Sequence, residues 1–218
     1  GPFHGGKLTV EQVEEYDWPD GNNPGLVRGV RERVQQIKAS GDHAVCLYIP
    51  GGVIHRGYAM RGFEAYLKDL YKRPEALQRM MDKLCDFWCD NATSMIEAAG
   101  PENVDIIYFG EDLGTQDSCM FDPDSIYKDY LKPRHRRMIE TVKGLTNNKA
   151  KVCYHCCGSA YHFIPHLLDI GIDALNPVQV TAKNMEPELL KETFGDRLTF
   201  WGGINTQETL PFGTPEEV

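Results

Sequence analysis

Nowhere in its 218 residues does the chain sustain the ~20 consecutive apolar side chains that a bilayer span requires. A membrane partner is therefore not expected. The opening residues, Gly1-Pro2-Phe3-His4-Gly5-Gly6, show no basic stretch followed by an apolar one, so nothing points to export. Positive charge is scarce as well: 23 Lys and Arg stand against 32 Asp and Glu, a net charge of −9. A surface that coats nucleic acid needs the opposite sign, which removes DNA and RNA as main partners. The Gly-rich turn with which dinucleotide folds grip phosphate is missing, and the Gly-Gly pairs at 51–52 and 202–203 read as easily as plain turns. There is no internal repeat and no low-complexity tract. The cysteines (Cys46, Cys85, Cys89, Cys119, Cys153, Cys156, Cys157) are odd in number, and three of them crowd positions 153–157. A small secreted disulfide framework has a different pattern, so reduced thiols in a cytoplasmic protein are expected. Most of them read as small buried hydrophobes.

What is present is an ordinary globular composition, 41% apolar and 25% charged, at a length that fits one domain or two small ones. Residues 1–25 are dense in turn formers and read as loop. Leu26 to Ala39 carries apolar residues at helical spacing. Ala44 to Ile49 is a short apolar run that stops at Pro50-Gly51-Gly52, a buried strand running into a loop. Two helices are predicted next, one over His55–Tyr71 and one beginning at Pro74. The buried stripe of the second is Leu77, Met81, Leu84, Trp88 and Met95.

From there strands and helices alternate. Strands are predicted over 104–109, 151–155, 173–178 and 198–201. Helices are predicted from Asp122-Pro123 to Val142, from Tyr161 to Ile170 and from Pro187 to Phe194, and Thr214 reads as the start of another. Apolar strands that do not alternate, each followed by a helix, describe parallel strands covered on their outer side. The fold class is α/β, a (β/α)8 TIM barrel seen as a partial barrel, with a doubly wound sheet as the alternative. Five strands are found where a closed barrel has eight. The expectation is one barrel domain over 1–218, cut at both ends.

In such folds chemistry collects where strands end. Four predicted strand ends carry polar clusters: Glu111 to Gln116, His155 to Ser159, Asn176 to Gln179, and Trp201 to Gln207. His155 and Cys157 are the sharpest pair. Alternate strand residues share a face, so both can point into the barrel mouth while Cys156 points toward the helices. An imidazole nitrogen and a thiolate suit zinc, which favours N and S ligands. A third ligand would come from Glu111, Asp112 or a residue beyond Val218. The other reading of the same residues is a Cys-rich buried strand with a hydrogen-bonded histidine. Glu111 and Asp112 are adjacent carboxylates that a shielded mouth can set to different pKa values, which suits acid–base catalysis or metal ligation. The alternative for them is a solvated turn. Gln116, Asn176, Gln179, Trp201 and Asn205 are the candidates for holding substrate, and His55 is a further candidate beside the first strand. Arg134, His135, Arg136 and Arg137 read as an exposed basic helix face, and Trp88 as core.

The ordered segments 110–116 (GEDLGTQ), 155–159 (HCCGS), 170–179 (IGIDALNPVQ) and 194–204 (FGDRLTFWGGI), with Arg61-Gly62-Phe63-Glu64 and Trp18-Pro19-Asp20, resemble the uroporphyrinogen decarboxylase superfamily. The likeness is greatest to its corrinoid-linked methyltransferase branch. The resemblance implies a (β/α)8 barrel with its site in the mouth, and zinc held by His155, Cys157 and a later ligand past Val218. It implies a methyl-corrinoid supplied by a partner corrinoid protein. It also implies a small-molecule methyl acceptor, either a thiol such as coenzyme M or tetrahydrofolate. Relatives often have Asp-Asp where this chain has Glu111-Asp112, Ser in place of Cys156 and Asp in place of Asn205. The arginine-rich substrate motif of the decarboxylases is not seen. Porphyrinogen decarboxylation, and docking of a corrinoid protein without turnover, are the alternative functions.

Overall fold

The computed structural model describes all 218 residues. Near its start, the Thr9 side chain accepts the Gln12 N–H at 3.2 Å while Gln12 Oε1 accepts the Thr9 N–H at 3.0 Å. This reciprocal cap starts α1, Val10–Glu15, inside the segment read as loop. The single helix expected over 26–39 is two pieces, a 3₁₀ turn at Pro24–Val27 and α2 at Val30–Ser40. After β1 (Cys46–Tyr48) the expected helix over 55–71 divides at Gly62 into α3, Ile54–Arg61, and α4, Phe63–Lys72. Gly62 sits at φ 89°, ψ 136°, outside any helix. The long α5, Glu75–Ala99, begins one residue later than read, with Pro74 extended as its N-cap. Leu77, Met81, Leu84 and Trp88 are buried as the stripe requires, and Met95 is partly buried against them.

β2 is Ile106–Gly110. Asp122 caps the next helix by accepting the Ser125 N–H at 2.7 Å. That helix starts as a π-helical stretch, Pro123–Leu131, before continuing as α6, Lys132–Leu145. Then follow β3 (Lys151–His155), a 3₁₀ turn leading into α7 (Ile164–Asp169), β4 (Ala174–Asn176), α8 (Pro187–Phe194), β5 (Thr199–Phe200) and α9 (Thr209–Phe212). Residues 215–217 form a turn where the start of a helix was expected at Thr214, and the short α9 just before it was not expected.

All five strands are parallel and lie in sequence order, β1-β2-β3-β4-β5. A doubly wound sheet reverses its strand order at a switch point. This sheet does not, and it has the order of consecutive barrel strands. The fold is α/β, a partial (β/α)8 barrel. Ile107 and Phe109 of β2, with Val152 and Tyr154 of β3, turn outward and are fully buried beneath the helices. Trp88 of α5 lies 4.8 Å from Phe109, and Phe109 meets Tyr154 edge-on at 5.4 Å. Burying an aromatic or large aliphatic side chain there contributes about 1.5–3 kcal/mol. The buried apolar residues form one connected cluster, so the chain has a single core. No helix is long and apolar enough to cross a membrane.

The register sets up the inner face. Gly110 pairs with His155, and His155 with Asn176. Gly110 is needed there, because a Cβ on it would lie 2.0 Å from the His155 carbonyl oxygen. Tyr108, two residues earlier on β2, shares that inner face.

Candidate metal centre

β3 delivers His155 at its last residue, and Cys157 follows two positions on. Cys157 Sγ lies 3.4 Å from His155 Nε2. The loop after β2 brings Asp112, whose Oδ1 is 3.9 Å from His155 Nε2 and accepts the Cys157 N–H at 2.8 Å. One ligand atom from each of these three half-buried residues lies within 4.8 Å of the others. Cys156 turns the other way, as strand alternation requires. It is fully buried, its Sγ accepts the Leu113 N–H at 3.3 Å, and burial pushes its thiol up to about 12.

The tautomer of His155 follows from its neighbours. Asn176 Nδ2 donates to the Trp201 carbonyl at 3.0 Å, which fixes Oδ1 toward the site. The Tyr108 hydroxyl donates to that Oδ1 at 2.8 Å, and His155 Nδ1 lies 3.0 Å from the same oxygen and 2.9 Å from the hydroxyl. An amide oxygen only accepts, so Nδ1 carries the hydrogen and Nε2 keeps its lone pair toward Cys157 and Asp112. Asn176, read as a substrate contact, is thus an orienting partner of His155. Tyr108 was not among the candidates. Its signal was its even spacing from Gly110 on the inner face.

Charges are arranged around Asp112. The hydrogen bond with His55 is the main influence holding its carboxyl below the usual range, with help from the Cys157 amide. The same contact raises the pKa of His55. His55 Nε2 stands 3.2 Å from the Asp112 N–H and 3.5 Å from Asp112 Oδ2. Neutral, it accepts from the first; protonated, it donates to the second. Burial, and next the Asp112 charge, push the Cys157 thiol up to about 11.

Glu111 is not in the mouth. It is fully buried on the helix side of the sheet, where its carboxylate accepts the backbone N–H groups of Val53, Ile54 and His55 at 2.9, 2.6 and 2.7 Å. His135 Nε2 meets the same carboxylate at 2.9 Å. Fully buried, with each carboxylate oxygen engaged by two partners, Glu111 is a structural group where acid–base chemistry was expected. The 134–137 face is also corrected. His135 is completely buried and the Arg134 guanidinium is packed against Asp82 at 2.7 Å, while Arg136 and Arg137 form surface ion pairs.

The remaining candidates are spread out. Gln179 is buried and its Oε1 accepts the Gly158 N–H at 2.9 Å, bracing the 155–159 loop. Gln116 shapes the same region through its backbone carbonyl, which accepts the Lys183 N–H at 2.9 Å. Trp201 is half-exposed beside Tyr108, with ring centroids 6.2 Å apart. Asn205 Oδ1 accepts the N–H groups of Gln207 and Glu208 and caps the turn before α9.

The donor set fits zinc. Tetrahedral coordination at ordinary bond lengths separates an imidazole nitrogen from a thiolate sulfur by about 3.6 Å and from a carboxylate oxygen by about 3.4 Å. The observed 3.4 and 3.9 Å need only small side-chain adjustments. Three protein ligands on an open rim also leave a coordination position free, as catalytic zinc sites do.

No curated protein sequence matches the chain. Among solved structures, a methyltransferase from Methanosarcina mazei is similar, with a TM-score of 0.61 and 15% identity. The similarity covers 88% of this chain and 50% of that one, so this chain spans half the length of that protein. A likeness at this identity speaks for the fold. The family model for uroporphyrinogen decarboxylase (URO-D) matches residues 3–218. A match over nearly the whole sequence makes this chain a member of the uroporphyrinogen decarboxylase family.

Proposed function

We propose that this protein moves a methyl group from a methyl-corrinoid, carried by a partner corrinoid protein, to a small-molecule acceptor, a thiol or tetrahydrofolate. In this reading zinc is held by Asp112, His155 and Cys157. The observation that carries it is the convergence of those three side chains at the strand ends. His155 offers the Nε2 lone pair, kept free by Tyr108 and Asn176. Cys157 gives up its proton to become a ligand, and Asp112 supplies a second negative charge. Zinc bound here supplies the Lewis acidity that turns an acceptor thiol into a thiolate at neutral pH. A thiolate acceptor would attack the methyl carbon while the electron pair of the cobalt–carbon bond left with the corrinoid; tetrahydrofolate would in addition release its N–H proton to solvent. Half-exposed Trp201 gives the approach to the mouth an apolar wall.

The test is metal analysis of the protein together with Asp112→Ala, His155→Ala and Cys157→Ala. One equivalent of zinc in the wild type and loss in each variant support the reading. Zinc content unchanged in all three variants sinks it. Methylcobalamin as donor with a simple thiol or tetrahydrofolate as acceptor then separates the two acceptor classes.

A further inference from the structure

Behind the mouth, on the helix side of the sheet, lies a buried polar chain that the proposed reaction does not use. The Tyr127 hydroxyl, in the π-helical stretch before α6, is 3.1 Å from His135 Nδ1. His135 Nε2 is 2.9 Å from Glu111 Oε2, and both side chains are wholly buried. Glu111 accepts from His135 Nε2, and His135 Nδ1 shares a hydrogen bond with the tyrosine hydroxyl. Glu111 in turn holds three of the N–H groups that a helix leaves unpaired at its start, those of Val53, Ile54 and His55. The fit is close: a Cβ on Gly52 would fall 2.2 Å from Glu111 Cδ. From the other side the Tyr66 hydroxyl donates to the Val53 carbonyl at 3.1 Å.

This clamp fixes where His55 stands. His55 contributes one of the three N–H groups, and its ring lies against Asp112. Asp112 is also the covalent neighbour of Glu111. One carboxylate therefore sets both members of the His55–Asp112 contact, and Asp112 is a candidate ligand. We infer that His135 is a positioning residue for the candidate metal centre, acting through Glu111 and the β1–α3 turn. The inference rests on the zinc reading above for its effect on affinity, and on geometry alone for its effect on the turn.

Two readouts on the full chain test it. The first is amide hydrogen exchange at Val53, Ile54 and His55 in metal-free protein. The second is zinc affinity by competition with a chromophoric chelator. In His135→Ala, exchange at these three amides is expected to quicken about tenfold, the loss of roughly one hydrogen bond's hold on the turn. The zinc Kd is expected to rise about 10- to 100-fold, as when an outer partner of a ligand is removed. His135→Gln keeps a donor for Glu111 and is expected to restore most of both. Val142→Ala is the control for general loosening. It truncates a fully buried residue of the same helix that has no side-chain part in the chain.

The inference is overturned if His135→Ala leaves exchange at 53–55 unchanged, or if Val142→Ala moves both readouts as far. Should His135→Ala not fold, Tyr127→Phe removes only the hydroxyl that steadies the ring. A milder rise in both readouts is then expected, and no rise overturns the inference. Zinc absent from the wild type would instead overturn the metal reading. Zinc bound normally with unchanged exchange overturns only the role of His135.

Discussion

The side-chain oxygen of Asn176 receives the Tyr108 hydroxyl at 2.8 Å and faces His155 Nδ1 at 3.0 Å. One oxygen thereby decides which nitrogen of the imidazole carries the hydrogen. Asn176→Ala is expected to weaken zinc binding about 10- to 100-fold. Tyr108→Phe, which leaves the Asn176 oxygen in place, is expected to do less. Chelator competition measures both, and the ¹⁵N shifts of the His155 ring show the tautomer directly. An Asn176→Ala protein with wild-type affinity would refute the orienting role.

Zinc uptake is expected to release protons. The Cys157 thiol, raised to about 11 by burial and by Asp112, is protonated at neutral pH and must ionise to become a ligand. Titration with zinc in weak buffer near pH 8 is expected to liberate about one proton per ion from this thiol, so affinity climbs as pH rises. Proton release that stays the same when Cys157 is replaced by Ala would show that the sulfur is not a ligand.

The metal-free fold is expected to weaken in alkali. Cys156 has an ordinary thiol pKa of 9.0 when exposed and is held near 12 by burial. Between those values the folded chain keeps a proton that the unfolded chain has released. Stability therefore falls as pH rises through this window, by at most about 1.4 kcal/mol per pH unit from this group. Cys156→Ala is expected to flatten part of the decline in urea midpoints between pH 9 and 11, and parallel curves for the two proteins would contradict the assignment.

Glu111→Ala is expected to cost about 3–5 kcal/mol, because it strips the partner from a buried histidine and from three backbone donors at once. Urea unfolding measures this. Gly52→Ala is expected to destabilise by about 1–3 kcal/mol, since its methyl group would overlap the Glu111 carboxylate. A Glu111→Ala loss below 1 kcal/mol would mean that the carboxylate is dispensable to the turn.

The strands and most helices were legible because apolar runs, capping residues and Gly or Pro stops are local signals. So was the joint orientation of His155 and Cys157, which follows from strand alternation. The same alternation applied to Glu111 and Asp112 separates them, one toward the helices and one toward the mouth. Adjacent acids read as a pair concealed this. The break at Gly62 was less legible, since a glycine within a helical pattern is often tolerated. α1 could have been found from Thr9 and Gln12, whose spacing is that of a reciprocal cap. His135 could not. Three arginines around it read as a solvent face, and only the tertiary position of α6 against the sheet shows that the imidazole points inward. Asn176 was found, but its task depends on the Trp201 carbonyl just after β5, which no local pattern encodes.

Gly110, Glu111 and Asp112 make one strand end serve two sides of the sheet: no side chain where β2 presses on β3, an anchor in the core, then a ligand candidate in the mouth. Their order matters more than their chemistry. Inserting a single residue between Gly110 and Glu111 would exchange the two acids' destinations. It would bury the shorter one out of reach of the α3 amides and leave the longer one crowding His155.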